Sequence, residues 1–382
     1  MRIKSTAVYL ENGFEEAVLE LENGKITGVF PASSSYEEDY GDAYILPGFL
    51  DIHTHGGYGV DTNTSPIEEL LSWAERLPEE GVTSFLPTTV TDHKDILLSS
   101  LKNVREAHKV QKDGARIVGI HMEGPFLNIT KAGAQPKDGI IPPSIPLLEE
   151  FVKEADGLLS LMTVAPEKDE GHLLLKELRK YGIIPSIGHS AASYEECLRA
   201  REDGALSITH TFNAQSAFHH RDPGIVNFAL DHKDFYSEII GDGHHVDPSV
   251  LSFFFSCKDS DHAILISDSL SIKGIDEKDI LFGGQKILIE NGAAHLTDEK
   301  KTLAGSILKI NEGIAVLVNK AGVPIEKAVR AASVNPARLL GLNDHIGILK
   351  EGYDADITIL DKDFRVLRTI VKGKTSYTKT GS

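Results

Sequence analysis

Short apolar runs recur along the chain, and amphipathic stretches separate most of them. The runs are Ile45–His55, Thr83–Thr89, Ile117–Glu123, Leu158–Pro166, Ile183–His189, Ala205–His210, Glu238–Asp242 and Ala263–Asp268. Ile67–Leu77, His93–His108, His172–Tyr181, Ser193–Arg201 and Pro248–Cys257 carry the apolar spacing of helices between them. Ser193 and Glu196 stand at capping-box spacing, which marks a helix start. Eight buried strands alternating with helices predict an α/β fold: a closed parallel TIM-like (β/α)8 barrel. An open doubly wound sheet is the alternative, but no glycine-rich phosphate fingerprint follows the first strand.

Both ends of the chain have a different rhythm. The first 45 residues read as strands turning at Asn12-Gly13 and Asn23-Gly24, and residues after Gly347 return to strand pattern, turning at Glu351-Gly352 and Lys372-Gly373. Each end is too small to bury a core alone, so residues 1–46 and 347–382 are expected to pair into one small β domain beside a barrel of residues 47–346. Lys273–Leu303 interrupts the barrel pattern and reads as a hairpin insertion near 273–303, turning at Asn291-Gly292 close to the mouth. Helices are expected after it, over Ile307–Lys320 and Ile325–Ala332.

Composition narrows the partners. A net charge of −18 repels polyanions, so neither nucleic acid nor an anionic membrane is expected to bind. An anionic substrate would need local cations to hold it. Two cysteines, Cys197 and Cys257, exclude a disulfide framework and suit a reducing compartment. No apolar leader and no apolar run long enough for a membrane span are evident, which reads as a cytoplasmic protein.

The chemistry lies at the ends of the runs. PGFLDIHTHGGYG closes the first on His53 and His55; strand alternation would place Phe49, Asp51 and both histidines on one side, Leu50 and Ile52 on the other. The third run ends in Glu123, the fifth in His189, the sixth in His210 and the eighth in Asp268. In a parallel barrel these ends share one mouth, where active sites are built. Taken singly, His189 reads equally as a loop residue, Glu123 as a helix cap and Asp268 as an Asx turn. Their recurrence at successive strand ends points instead to a divalent metal: zinc first, with iron, manganese or cobalt as alternatives. Six donors exceed one open tetrahedral ion, so they allow two ions, or one ion with side chains left for proton transfer. Such an ion brings the pKa of bound water down to about 7 and so supplies hydroxide at neutral pH. His121, deeper on the Glu123 face, reads as a satisfied core histidine. Arg221 and His245 follow the sixth and seventh strands and form the local anion trap, a surface pair with Asp222 being the lesser alternative for Arg221. Nothing is assigned to His219 or His220.

The motifs PGFLDIHTHGGYG, GIHMEGPF, GAQPK, IGHS, THTFNAQSAFHHRDPG, DGHHVDP, LISDS and TLAGSILKI, in this order, resemble the N-acetylglucosamine-6-phosphate deacetylase family of the metal-dependent amidohydrolases. The resemblance implies a barrel with a small β-sandwich made from both termini. It implies Glu123, His189 and His210 as shared metal ligands, His53 and His55 as the second-metal position, and Asp268 as acid/base. It implies substrate contacts at Ala134, Gln135, Asn213, Ala214, Arg221, His245, Leu303, Ala304 and Gly305. Some members have histidine where this chain has Gln135, which cannot carry charge. The implied reaction is hydrolysis of the acetamide of N-acetylglucosamine 6-phosphate to glucosamine 6-phosphate and acetate by a homodimer, with the galactosamine epimer as the alternative substrate. A dihydroorotase-like activity would use a carboxylated strand-end lysine, which this sequence lacks. A non-catalytic sugar-phosphate sensor would not need Asp268.

Overall fold

In the computed structural model, the chain is described except for residues 12, 276–279, 291, 298–301 and 380–382. Eight parallel strands succeed one another around a barrel: β1 (Phe49–Thr54), β2 (Val82–Thr89), β3 (Ile120–Glu123), β4 (Leu159–Val164), β5 (Ile184–Ile187), β6 (Ser207–Ile208), β7 (Tyr236–Ile240) and β8 (Ala263–Ile266). Each pairs with the next. The ring is drawn shut beyond β8, where Asp268 N–H donates to His53 O at 2.8 Å and His55 N–H donates to Ser269 O at 2.9 Å. The eight strands follow the expected order.

Helices pack outside. Ser193 and Glu196 form the expected capping box at the start of Tyr194–Glu202, the Ser193 side chain accepting from Glu196 N–H and the Glu196 side chain from Ser193 N–H. Trp73, Phe85, Phe151, Phe228 and Phe254 lie in the large apolar cluster shared by strands and helices. The pattern missed Ile145–Ala155, whose prolines disguise a helix capped by Ser144, and the short helices Ile225–Asp231 and Val334–Leu339. The helix expected from Ile307 begins only at Ile310. Strict alternation also fails on β1. Its register against β2 slips on both sides of Leu50–Asp51, and Phe49 joins the helix-side cluster while Leu50 and Ile52 join a second one.

The two ends of the chain form one hydrogen-bonded sheet. Its strand order is Lys374–Thr378, Val366–Val371, Ile357–Leu360, Tyr44–Pro47, Arg2–Leu10, Gly13–Glu22, Lys25–Pro31, with Glu38–Asp39 also beside Arg2–Leu10. The edge strand at Lys25 bridges back to Asp354, so the sheet wraps around Ile3, Leu19, Ile26, Ile45, Ile357 and Ile370. Thr358 and Thr369 donate to Gly81 O and Pro78 O, fastening this sheet to the barrel. Asn12 of the first expected turn lies outside the described residues.

The insertion is a three-stranded antiparallel sheet rather than a hairpin: Ile280–Phe282, Gln285–Glu290 and Ala293–Leu296. Asn291 of its expected turn lies outside the described residues. Phe282, Ile287 and Leu296 pack against Val90, Ala134 and Ile272, and Gln285 Nε2 donates to Ala134 O at 2.9 Å, which seats this sheet over the barrel mouth. At the root of the insertion, Lys273 Nζ meets both oxygens of Glu80 at 2.9 and 3.0 Å, and both residues are 0% exposed. Among the described residues no helix is long and apolar enough to cross a membrane.

Candidate active site

Six side chains from five of the eight strand ends meet at this mouth. The turns that end three of them bend the backbone sharply: His189, His210 and Asp268 have φ of 45°, 28° and 49°. This left-handed region is uncommon outside glycine, and such residues cluster where a side chain must be aimed. Gly305 serves the same end, because a Cβ there would stand 2.9 Å from Asp268 O while Ser306 N–H donates to that oxygen at 2.7 Å.

The imidazoles point their Nε2 atoms inward. His53 Nδ1 lies 3.0 Å from Glu238 Oε2, His55 Nδ1 3.1 Å from Thr88 O and His189 Nδ1 2.9 Å from Lys131 O. Acceptors at Nδ1 place the proton there and leave the Nε2 lone pair for the centre. His53 and His55 Nε2 are 3.3 Å apart, and His189 and His210 Nε2 are 3.1 Å apart. Two nitrogens that each sit about 2.1 Å from one tetrahedral ion stand about 3.4 Å apart. The site therefore holds two imidazole pairs, each spaced for a divalent cation.

Glu123 lies between them. Its Oε1 is 2.7 Å from His210 Nε2 and 3.0 Å from His189 Nε2, while its Oε2 is 3.3 Å from His55 Nε2. Asp268 Oδ1 lies 3.1 Å from His55 Nε2 and 3.6 Å from His53 Nε2. The donor set is imidazole and carboxylate without thiolate, which fits zinc, iron, manganese or cobalt. Burial alone would push the His55 imidazole down, but hydrogen bonds to Asp268 and Glu123 push it up to about 9. Burial opposes ionisation of Asp268, yet the facing His53 and His55 hold its carboxyl below the ordinary range. Protons thus answer the negative charge that a cation would answer.

The cavity above is lined by His55, Glu123, His189, His210 and Asp268 together with Ala134, Gln135, Asn213, Ala214, His245, Leu303 and Gly305. His53 lies beneath the lining and Ala304 is buried behind it. Arg221 stands apart from this lining, exposed on the loop after β6. His245 Nδ1 lies 2.7 Å from Asp242 Oδ2; burial disfavours its charge, but this carboxylate raises its pKa above the usual imidazole value. His121 is satisfied, with Nδ1 3.1 Å from Ile52 O and Nε2 2.8 Å from Thr163 Oγ1, and burial holds its pKa well below normal.

Two residues escaped the sequence reading. Glu238 is fully buried on β7 against His53 Nδ1, and a lone acid inside the apolar run YSEII was the available signal. Phe282, from the insertion, lines the cavity with its ring 5.6 Å from that of His55. No spacing rule connects it to the barrel.

Comparison with known proteins agrees with this geometry. Residues 44–376 match the amidohydrolase family. An N-acetylglucosamine-6-phosphate deacetylase of Bacillus subtilis is 38% identical, over 98% of this chain and 96% of its own. An N-acetylgalactosamine-6-phosphate deacetylase of Escherichia coli O157:H7 is 30% identical, over 95% and 96%. Among solved structures, a mutant N-acetyl-D-glucosamine-6-phosphate deacetylase of Mycobacterium smegmatis in complex with N-acetyl-D-glucosamine-6-phosphate superposes with a TM-score of 0.93 at 26% identity, covering 99% of each chain. The N-acetylglucosamine-6-phosphate deacetylase of Thermotoga maritima gives a TM-score of 0.89 at 31% identity, over 99% of this chain and 100% of its own.

Proposed function

Because the chain belongs to the amidohydrolase family, we propose for its barrel mouth the reaction named for these relatives. It is hydrolysis of the acetamide of N-acetylglucosamine 6-phosphate to glucosamine 6-phosphate and acetate. One observation carries the reading: four inward-facing imidazoles gather around Glu123 with an ionised Asp268 beside them. We assign His53, His55, Glu123, His189 and His210 as ligands of one or two divalent ions, zinc first. When bound, such an ion supplies a Lewis acid and a water acidified to near neutrality.

The remaining work falls to side chains of this chain. Asp268 Oδ1 takes a proton from the attacking water as the new C–O bond forms. It returns that proton to the amide nitrogen as the C–N bond breaks, since an unprotonated amine leaves poorly. His245, whose charged form Asp242 favours, and Arg221 are assigned to the phosphate; Asn213, Ala214, Ala134 and the Leu303–Gly305 turn are assigned to the sugar. The galactosamine relative supports a second reading, with the epimeric N-acetylgalactosamine 6-phosphate as substrate. We further take the barrel, residues 47–346, as the catalytic unit of a cytoplasmic homodimer. An apolar hollow around Phe218, Tyr194 and Leu230 supports that association, and Phe218 is 59% exposed.

Acetate release from both epimers tests the proposal. The gluco substrate is expected to be turned over, and chelation should abolish turnover until a divalent salt restores it. Full activity in metal-stripped protein, or no acetate from either epimer, would refute it.

A further inference from the structure

Gln135 is where this chain departs from the histidine of some family members, and its amide is engaged by the protein at both ends. Its Oε1 accepts from Thr91 N–H at 2.8 Å, its Nε2 donates to Glu123 Oε2, and the side chain is buried. The Thr91 hydroxyl fastens the same acid from behind, donating to Glu123 O at 3.1 Å. Flipping the amide would set an N–H against the Thr91 N–H and an oxygen against the carboxylate, so its orientation is fixed. The donor therefore pins Oε2, the Glu123 oxygen 3.3 Å from His55 Nε2, while Oε1 lies against His210 and His189 and 3.6 Å from His53 Nε2.

We propose that Gln135 is a positioning residue that holds Glu123 across both imidazole pairs, so that this chain retains two divalent ions with one carboxylate between them. The inference rests on the metal-dependent reading above and deepens it. A charged side chain is not needed at this position, because the amide acts on Glu123 and not on the substrate.

The test is ion retention. Wild type and Gln135→Leu would be loaded with zinc, dialysed against graded chelator and assayed for zinc per chain by mass spectrometry. Wild type should hold two ions. The variant should lose one of them at about ten- to hundredfold lower chelator, the usual effect of removing a partner of a ligand. Its KM should stay unchanged, with kcat following ion content and recovering in excess zinc. Gln135→Met, equally unable to donate, gives the same readout if the leucine variant misfolds by circular dichroism. Wild-type retention in the variants, or a single ion in wild type, would overturn the proposal. So would a loss of activity that ignores ion content and vanishes on the N-trifluoroacetyl substrate, whose carbonyl needs less polarisation. Failure of wild type to release acetate would count against the reaction alone, since zinc content is read without it.

Discussion

Glu238 Oε2 lies 3.0 Å from His53 Nδ1 and 3.2 Å from the His210 backbone nitrogen, so one fully buried carboxylate ties β1 to β6 beneath the cavity. The charge makes His53 a stronger donor at Nε2, and the backbone bond sets where His210 begins its turn. Glu238→Gln preserves volume but loses the charge. We expect metal retention to weaken by about ten- to hundredfold with substrate KM unchanged. Competition with a chromophoric chelator reads the first, and retention equal to wild type would reduce Glu238 to a packing residue.

Asp268→Asn keeps the shape of the group but removes its ability to take a proton. Turnover should fall by roughly 10²–10⁴-fold. Circular dichroism and melting should stay close to wild type, because the backbone bonds at this turn, from Asp268 N–H to His53 O and from Ser306 N–H to Asp268 O, do not involve the side chain. Near-normal acetate release would remove Asp268 from the chemistry.

The pairing of His245 with Asp242 sets a pH dependence for substrate capture. Burial works against the imidazolium, but the Asp242 carboxylate raises its pKa, so the cation survives above the ordinary imidazole value of about 6.5. Affinity for a phosphate is therefore present at low pH and is lost as pH climbs through the raised pKa. In Asp242→Asn the support is gone, and KM should begin to rise at lower pH than in wild type. Superimposed KM profiles across neutral pH would show that His245 does not meet the anion.

Lys273 and Glu80 form a bidentate ion pair without exposure to solvent, and Tyr58 OH donates to Glu80 Oε1 at 2.7 Å. Lys273→Met would leave that carboxylate buried without its countercharge. A loss of about 3–5 kcal/mol is expected in denaturant unfolding, and Lys273→Met with Glu80→Leu should recover much of it. A single variant as stable as wild type would show that the pair is not closed to water.

How much of this was legible follows from what each signal depends on. The barrel was readable because buried parallel strands appear as short apolar runs, and their polar last residues mark one rim. His53, His55, Glu123, His189, His210 and Asp268 were singled out that way, and the fold brings them together. Helix Ile145–Ala155 was hidden because its flanking prolines read as loop. Phe49 left the expected side because a register slip is invisible in a period-two pattern. Glu238 and Phe282 reach the site through tertiary neighbours alone: one acid inside a strand, and one ring on a sheet folded over from after β8. The orientation of the Gln135 amide belongs with them, since Thr91 and Glu123 together determine which way it faces.

Tyr44–Pro47 pairs with Arg2–Leu10 on one flank and with Ile357–Leu360 on the other. During translation the first neighbour is already made, but the second leaves the ribosome only after all eight barrel strands. The barrel can therefore close while a bare strand edge waits beside it. A chain truncated before Ile357 would keep that edge open for good, ready to recruit a foreign strand and seed aggregation.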